Sequence, residues 1–260
     1  MSYETILLEK SNKIVIITLN RPNEMNTMTS QFFSEMGDAI TAAANDSEIR
    51  VVVLKAKGKM FSAGGDLEML KSLDTILKAK AMVSKDGDII QKIYDMPKPV
   101  ICAVQGVAAG SGANMALSCD FVIASEKAAF AQVFINIGGI PDSGGMWSLA
   151  KCVGITRAKE LAMSGRLVKA QEALSYGMVL KVVPEDKLEE ETMAFARELA
   201  SKPPIAMGYI KQIANKLNCM DMATYCALES DLMAIALQTK DHKEGMTAFI
   251  EKRKPVFTGE

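Results

Sequence analysis

The chain has 260 residues, 49% hydrophobic and 23% charged, enough for one α/β domain with a sizeable core and a helical appendage. Thirty Lys and Arg face 31 Asp and Glu, and the net charge of −1 supplies no global field for nucleic acid. One histidine, His242 in a polar stretch, argues against Ser-His triads, H-E-x-x-H zinc sites and Cys/His fingers, so no metal site is expected.

Residues 3–9 and 13–20 read as a β-hairpin with its turn at Ser11-Asn12-Lys13. This start lacks the basic and apolar regions of a signal peptide, and no stretch is long enough to span a bilayer. A cytoplasmic protein without membrane association is therefore expected. Asn20-Arg21-Pro22-Asn23 breaks the second strand, and Thr29 or Ser30 caps a helix through about residue 44. Residues 50–55 form a buried strand that ends at a glycine loop, Met60-Phe61-Ser62-Ala63-Gly64-Gly65-Asp66-Leu67.

Residues 67–94 read as mostly helical until Pro97-Lys98-Pro99 stops them, and residues 100–104 form the next strand. A second glycine loop, Gly106-Val107-Ala108-Ala109-Gly110-Ser111-Gly112-Ala113-Asn114, leads into a short helix to Ser118 and a strand at 121–123. The strands are almost continuously apolar, as in a sheet covered on both faces. From Ser143 onward the pattern is helical apart from a strand at 178–183, and Pro203-Pro204 divides two later helices. The last sixty residues, rich in Met and apolar on more than one face, suit packing on a neighbouring subunit. The five cysteines form no C-x-x-C pair and read as buried free thiols.

Each glycine loop follows a β-branched run and opens into a helix, with no good nucleophile beside it. Free N–H groups at a helix start, unshielded by large side chains, are the material of an oxyanion hole. Other motifs fail on inspection. Gly110-Ser111-Gly112 lacks the third glycine of a dinucleotide fingerprint because Met115 stands there, and Ala109 removes the glycine a nucleophile elbow needs before Ser111. Lys252-Arg253-Lys254 reads by itself as a solvated helix terminus.

Several segments together resemble the enoyl-CoA hydratase/isomerase (crotonase) superfamily over essentially the full length. They are Phe61 to Leu67, Lys98 to Gly106, Cys119-Asp120-Phe121-Val122-Ile123-Ala124, Gly138-Gly139-Ile140-Pro141-Asp142-Ser143-Gly144-Gly145, and the ending from Glu244 to Pro255. The resemblance implies an α/β fold, the crotonase-like ββα spiral (the ClpP/crotonase fold). It implies a spiral core with the active site over residues 1–200 and a helical trimerisation region over 201–260. It further implies an acyl-CoA substrate, no cofactor beyond the CoA of that substrate, and a homotrimer or dimer of trimers. The thioester oxygen would rest on the N–H groups of Gly65 and Ser111. The nucleotide would run past Ala63, Gly64, Asp66 and Leu67, with Met25 on a second wall and Lys252 as a phosphate partner, here or from a neighbouring subunit. Asp66 also suits a helix cap.

Two positions depart from the family's hydratases, which carry two glutamates to hold water. Here they are Asn114, which orients but takes no proton, and Phe134, which does neither. One carboxylate remains, Asp142, where single-acid isomerases of the family place their base. Pro141-Asp142-Ser143-Gly144-Gly145 also reads as a helix N-cap, which Ser143 can supply equally well. The expectation is a Δ3 to Δ2 enoyl-CoA isomerase in which Asp142 shuttles one proton from C2 to C4, with Phe134 and Trp147 drying the base. The rival readings are an epoxide or ring isomerase, hydrolase or dehalogenase on a cyclic acyl-CoA, a hydratase, and a catalytically dead CoA- or RNA-binding scaffold. Against the last stands the net charge.

Overall fold

The N-terminal hairpin forms as β1 (Ile6–Ser11) and β2 (Ile14–Leu19), antiparallel, turning through Asn12 and Lys13 at positive φ. The computed structural model describes residues 3–260. Thr29 caps α1 (Ser30–Asn45) by accepting the Phe32 N–H, and β3 (Val51–Ala56) follows. The helical stretch after the first glycine loop is two helices, α2 (Leu67–Lys71) and α3 (Ile76–Asp95), the second capped by Thr75. Then come β4 (Val100–Val104), β5 (Val107–Ala109), α4 (Ser111–Leu117), β6 (Phe121–Ser125) and β7 (Ala129–Ala131). A 3-10 turn, Val133–Ile137, precedes α5 (Gly145–Val153), α6 (Ile155–Ser164), β8 (Val168–Lys169) and α7 (Ala170–Ser175). The chain ends with β9 (Lys181–Val183), α8 (Leu188–Ala200), α9 (Pro204–Lys216), α10 (Met222–Gln238) and α11 (Lys240–Glu251).

The main sheet has the order β1-β2-β3-β4-β6-β9, parallel except for the first pair. Alternation along β3 explains its unbroken apolar run. Val52 and Leu54 join the larger core cluster with α1 and α3, whereas Val51 and Val53 face the other way, against Leu188 and Ala196 of α8. After β4 and again after β6 the chain steps into a second sheet, β5-β7-β8, before returning through a helix. This repeated strand–strand–helix turn is the crotonase-like spiral. The three short strands of the second sheet escape a sequence reading because two or three residues carry no measurable alternation.

The C-terminal helices are anchored by a few polar contacts. Lys211 on α9 places Nζ 2.7 Å from Asp120 Oδ2 and also donates to the carbonyls of Ile93 and Lys98. Arg50 donates to the carbonyls of Phe257 and Ala200. Within the chain α10 buries none of its residues, and Met222, Met233, Phe249 and Ile250 lie exposed. The expectation of buried thiols holds for Cys102 and Cys119 and is corrected for Cys219 and Cys226, which are exposed because they sit on this unburied C-terminal part. Among the described residues no helix is long and apolar enough to cross a membrane.

Candidate active site

The two glycine loops meet at a contact that only glycine permits. Gly64 has φ +96°, and a Cβ there would stand 2.8 Å from the Ala109 carbonyl oxygen and 3.5 Å from the Ser111 nitrogen. Isolated bridges hold the loops in register. The Ser62 N–H donates to the Val107 carbonyl and the Ala109 N–H donates back to Ser62. Behind them the Ser62 hydroxyl donates to the Asn26 carbonyl and accepts the Gly64 N–H.

Two N–H groups are left over by this arrangement. The Met28 N–H donates to the Gly64 carbonyl (2.9 Å) and the Asp66 N–H to Met28 (3.1 Å), a parallel bridge that turns Gly65's own N–H to the opposite edge. Ser111 is the first residue of α4, where no intrahelical acceptor exists, and Gly110 before it has φ +53°. Neither N–H has an acceptor among the described residues, and Gly65 and Ser111 line the same cavity.

That cavity encloses about 320 Å³. Ala63, Gly64, Leu67, Phe134 and Asp142 line it as well, and exposed Leu67, Ile137 and Ile140 give it an apolar rim. Asp142 stands in a turn whose two central residues, Ser143 (φ 48°) and Gly144 (φ 70°), are left-handed and whose Gly145 N–H closes on the Asp142 carbonyl at 2.7 Å. Helix α5 begins at Gly145 behind Gly144 with no side-chain cap, so neither Asp142 nor Ser143 caps it. Asp142 Oδ1 is buried without a hydrogen-bond partner. Burial raises its pKa above the ordinary value, and the neighbouring Ser143 side chain offsets this only in part.

Five expected site residues stand outside the cavity lining. Asn114 is wholly buried behind the Asp142 turn, donating from Nδ2 to the Asp142 carbonyl (2.9 Å) and accepting from Gln132 (2.8 Å). It holds the Asp142 backbone, and Gly145 must lack a Cβ because one would overlap the Asn114 amide. Trp147 lies two residues beyond Gly145, roughly 200° around α5. It therefore faces a separate cavity beneath α9, with its ring 4.7 Å from Tyr94 and under Lys151, and cannot dry Asp142. Asp66 caps α2 through the Met69 N–H (3.0 Å). Met25 is exposed and its carbonyl accepts the Ala63 N–H, which supports the loop from outside. Lys252 ends α11 as an exposed left-handed residue.

One residue was missed. Asp86 on α3 lines the cavity, is 4% exposed, and has an unpartnered buried Oδ1. Its helix packs along the Asp142 turn, since a Cβ on Gly144 would meet Ile90, one helical turn beyond Asp86, at 3.8 Å. Burial, then the charge of Asp142, push the Asp86 carboxyl up to about 7, against a smaller opposing effect of Lys85. In sequence Asp86 is one acid among the lysines and aspartates of Lys85-Asp86-Gly87-Asp88 and carries no local signal.

The enoyl-CoA hydratase/isomerase family model matches residues 9–260. The chain belongs to the enoyl-CoA hydratase/isomerase family. A crystal structure of the enoyl-CoA hydratase from Bacillus anthracis superposes on this family member with a TM-score of 0.94 at 34% identity, covering 99% of this chain and 100% of that one. The trans-2-decenoyl-[acyl-carrier-protein] isomerase of Streptococcus mutans is 36% identical over the full length of both chains. The 1,2-epoxyphenylacetyl-CoA isomerase of Escherichia coli is 36% identical over 98% of this chain and 99% of its own. Hydratase and isomerase relatives thus stand at nearly equal distance from this enzyme.

Asn114→Ala removes the donor to the Asp142 carbonyl and the acceptor of Gln132, and is expected to cost about 1–3 kcal/mol in urea unfolding. Asp86→Asn should act oppositely. Between its ordinary value of 3.8 and about 7, the folded chain keeps the Asp86 proton that the unfolded chain releases, so stability falls as pH rises across that window. The Asn variant is relieved of this cost. Its melting temperature should exceed the parent's by several degrees more at pH 8 than at pH 5, at about 2–4 °C per kcal/mol for a chain of this size.

Proposed function

We propose that this enzyme shifts the double bond of a 3-enoyl-CoA to the conjugated 2-position. The observation that carries this reading is the opposition, across one apolar cavity, of two unclaimed N–H groups to the buried carboxylate of Asp142, with no glutamate at either family water-holding position. A thioester α-proton is too weakly acidic for a carboxylate unless the enolate is stabilised, and each preorganised donor contributes roughly 2.7–4 kcal/mol in mutational terms. Asp142 takes the C2 proton while the thioester oxygen becomes an enolate held by the N–H groups of Gly65 and Ser111. The electron pair then reaches C4, which takes up a proton. Desolvation beside Phe134 raises the base toward the range where proton abstraction is efficient.

The Asn114 and Phe134 substitutions argue against hydration, because nothing at those positions polarises a water. The ring-isomerising alternative draws on the likeness to the E. coli epoxide isomerase. It loses one of its two candidate ring-lining residues, since Trp147 faces elsewhere. The exposed apolar residues of α10 and α11 support assembly through the C-terminal helices into a trimer or a dimer of trimers, and light scattering should return three or six chains.

The deciding assay follows a 3-enoyl-CoA for appearance of the conjugated thioester and a 2-enoyl-CoA for hydration, in parallel. Isomerisation without hydration is expected, and Asp142→Asn should lower it about 10²–10⁴-fold. Efficient hydration, or a fully active Asn variant, would sink the mechanism.

A further inference from the structure

We propose that Asp86 is the acid that protonates C4, so that the double-bond shift runs on two carboxylates rather than on one. The proposal rests on the isomerase reading above and replaces the return of the proton by Asp142 with delivery from a second acid.

The placement of Asp86 needs an explanation that folding does not supply. It is buried on the face of α3 that also carries Met82 to the cavity, and no cation or donor reaches its Oδ1. An isolated buried carboxyl costs stability. An asparagine or a methionine would fill the same space without that cost. Two properties make the cost useful. First, Asp86 and Asp142 look into one cavity from different walls, α3 on one side and the turn before α5 on the other. Secondly, burial first and the charge of Asp142 next push the Asp86 carboxyl up to about 7. The cavity thus holds two carboxyls, and the charge of Asp142 favours the proton-bearing form of Asp86. The remaining charge near Asp86, Lys85, is on the exposed side of its own helix and opposes the effect only weakly.

The proton balance closes. Asp142 forms an O–H bond as the C2–H bond breaks, and the electron pair passes to the thioester oxygen. As the carbonyl re-forms, the C2–C3 double bond appears and C4 takes the proton of Asp86, which is left as carboxylate. Asp142 then releases its proton to solvent and Asp86 takes one up from solvent, so both groups are restored with no net uptake.

The test uses a 3-enoyl-CoA deuterated at C2, turned over in ordinary water by the parent enzyme and by Asp86→Asn, with deuterium at C4 of the product read by NMR and mass spectrometry. With Asp86 as donor, the parent product carries solvent hydrogen at C4. The Asn variant should turn over roughly 10–100-fold more slowly. Its residual product should now carry deuterium at C4, because Asp142 alone must return the proton it took. Substantial deuterium at C4 in the parent product would overturn the proposal and leave the isomerase reading standing, whether or not the variant folds. So would a variant with unchanged rate and unchanged labelling. A parent enzyme that leaves the 3-enoyl-CoA untouched would overturn both.

Discussion

Everything in the site depends on how closely two backbone segments approach. The Gly64 loop and the Ala109–Ser111 loop pack so tightly that a single methyl group at residue 64 would stand 2.8 Å from a carbonyl oxygen. Their bridges consume the N–H groups of residues 66 and 109, the Ser62 hydroxyl takes that of residue 64, and those of 65 and 111 are left over. The donors are thus by-products of a local pairing pattern of the two loops. Such groups need no reorganisation when charge develops on an oxygen between them, which is the source of their leverage.

The acids follow another logic, that of groups held at a cost. The backbone of Asp142 is clamped twice, by the turn to Gly145 and by the Asn114 amide, while the carboxyl Oδ1 has no partner. Position is secured by the main chain, while the side chain is left unsatisfied. Asp86 goes further, since a regular helix carries it inward with neither clamp nor partner. A fold selected for stability alone would not keep both carboxyls.

The parts legible in sequence are those encoded by short, local chemistry. The long strands, the Thr29 cap and both glycine loops can be read because apolar runs, capping residues and glycine are required residue by residue. Even the identity of Gly145 is local in this sense, although its reason, the Asn114 amide, lies in another segment. What could not be read depends on direction. Whether Trp147 meets Asp142 turns on the phase of α5, which is set by where the helix starts, and a start at Gly145 sends the indole to the far side. Asp86 depends on the phase of α3, a helix of mixed polarity with no clean apolar stripe to reveal its inner face. Cys219 and Cys226 fail similarly, since apolar neighbours do not say whether their face is covered within the same chain.

Relatives with hydratase and isomerase names lie at about the same identity to this chain, so overall likeness does not select the reaction. The feature of this cavity that bears on the reaction is where its acids stand around the two free backbone N–H groups. In this chain one water-holding position has become a buried amide that supports the backbone of Asp142, and the other has become a phenyl wall. The buried carboxyls of this cavity stand instead on the turn before α5 and on α3. Because α3 is a separate element from the two loops whose pairing leaves the Gly65 and Ser111 N–H groups over, an acid on it is independent of that pairing.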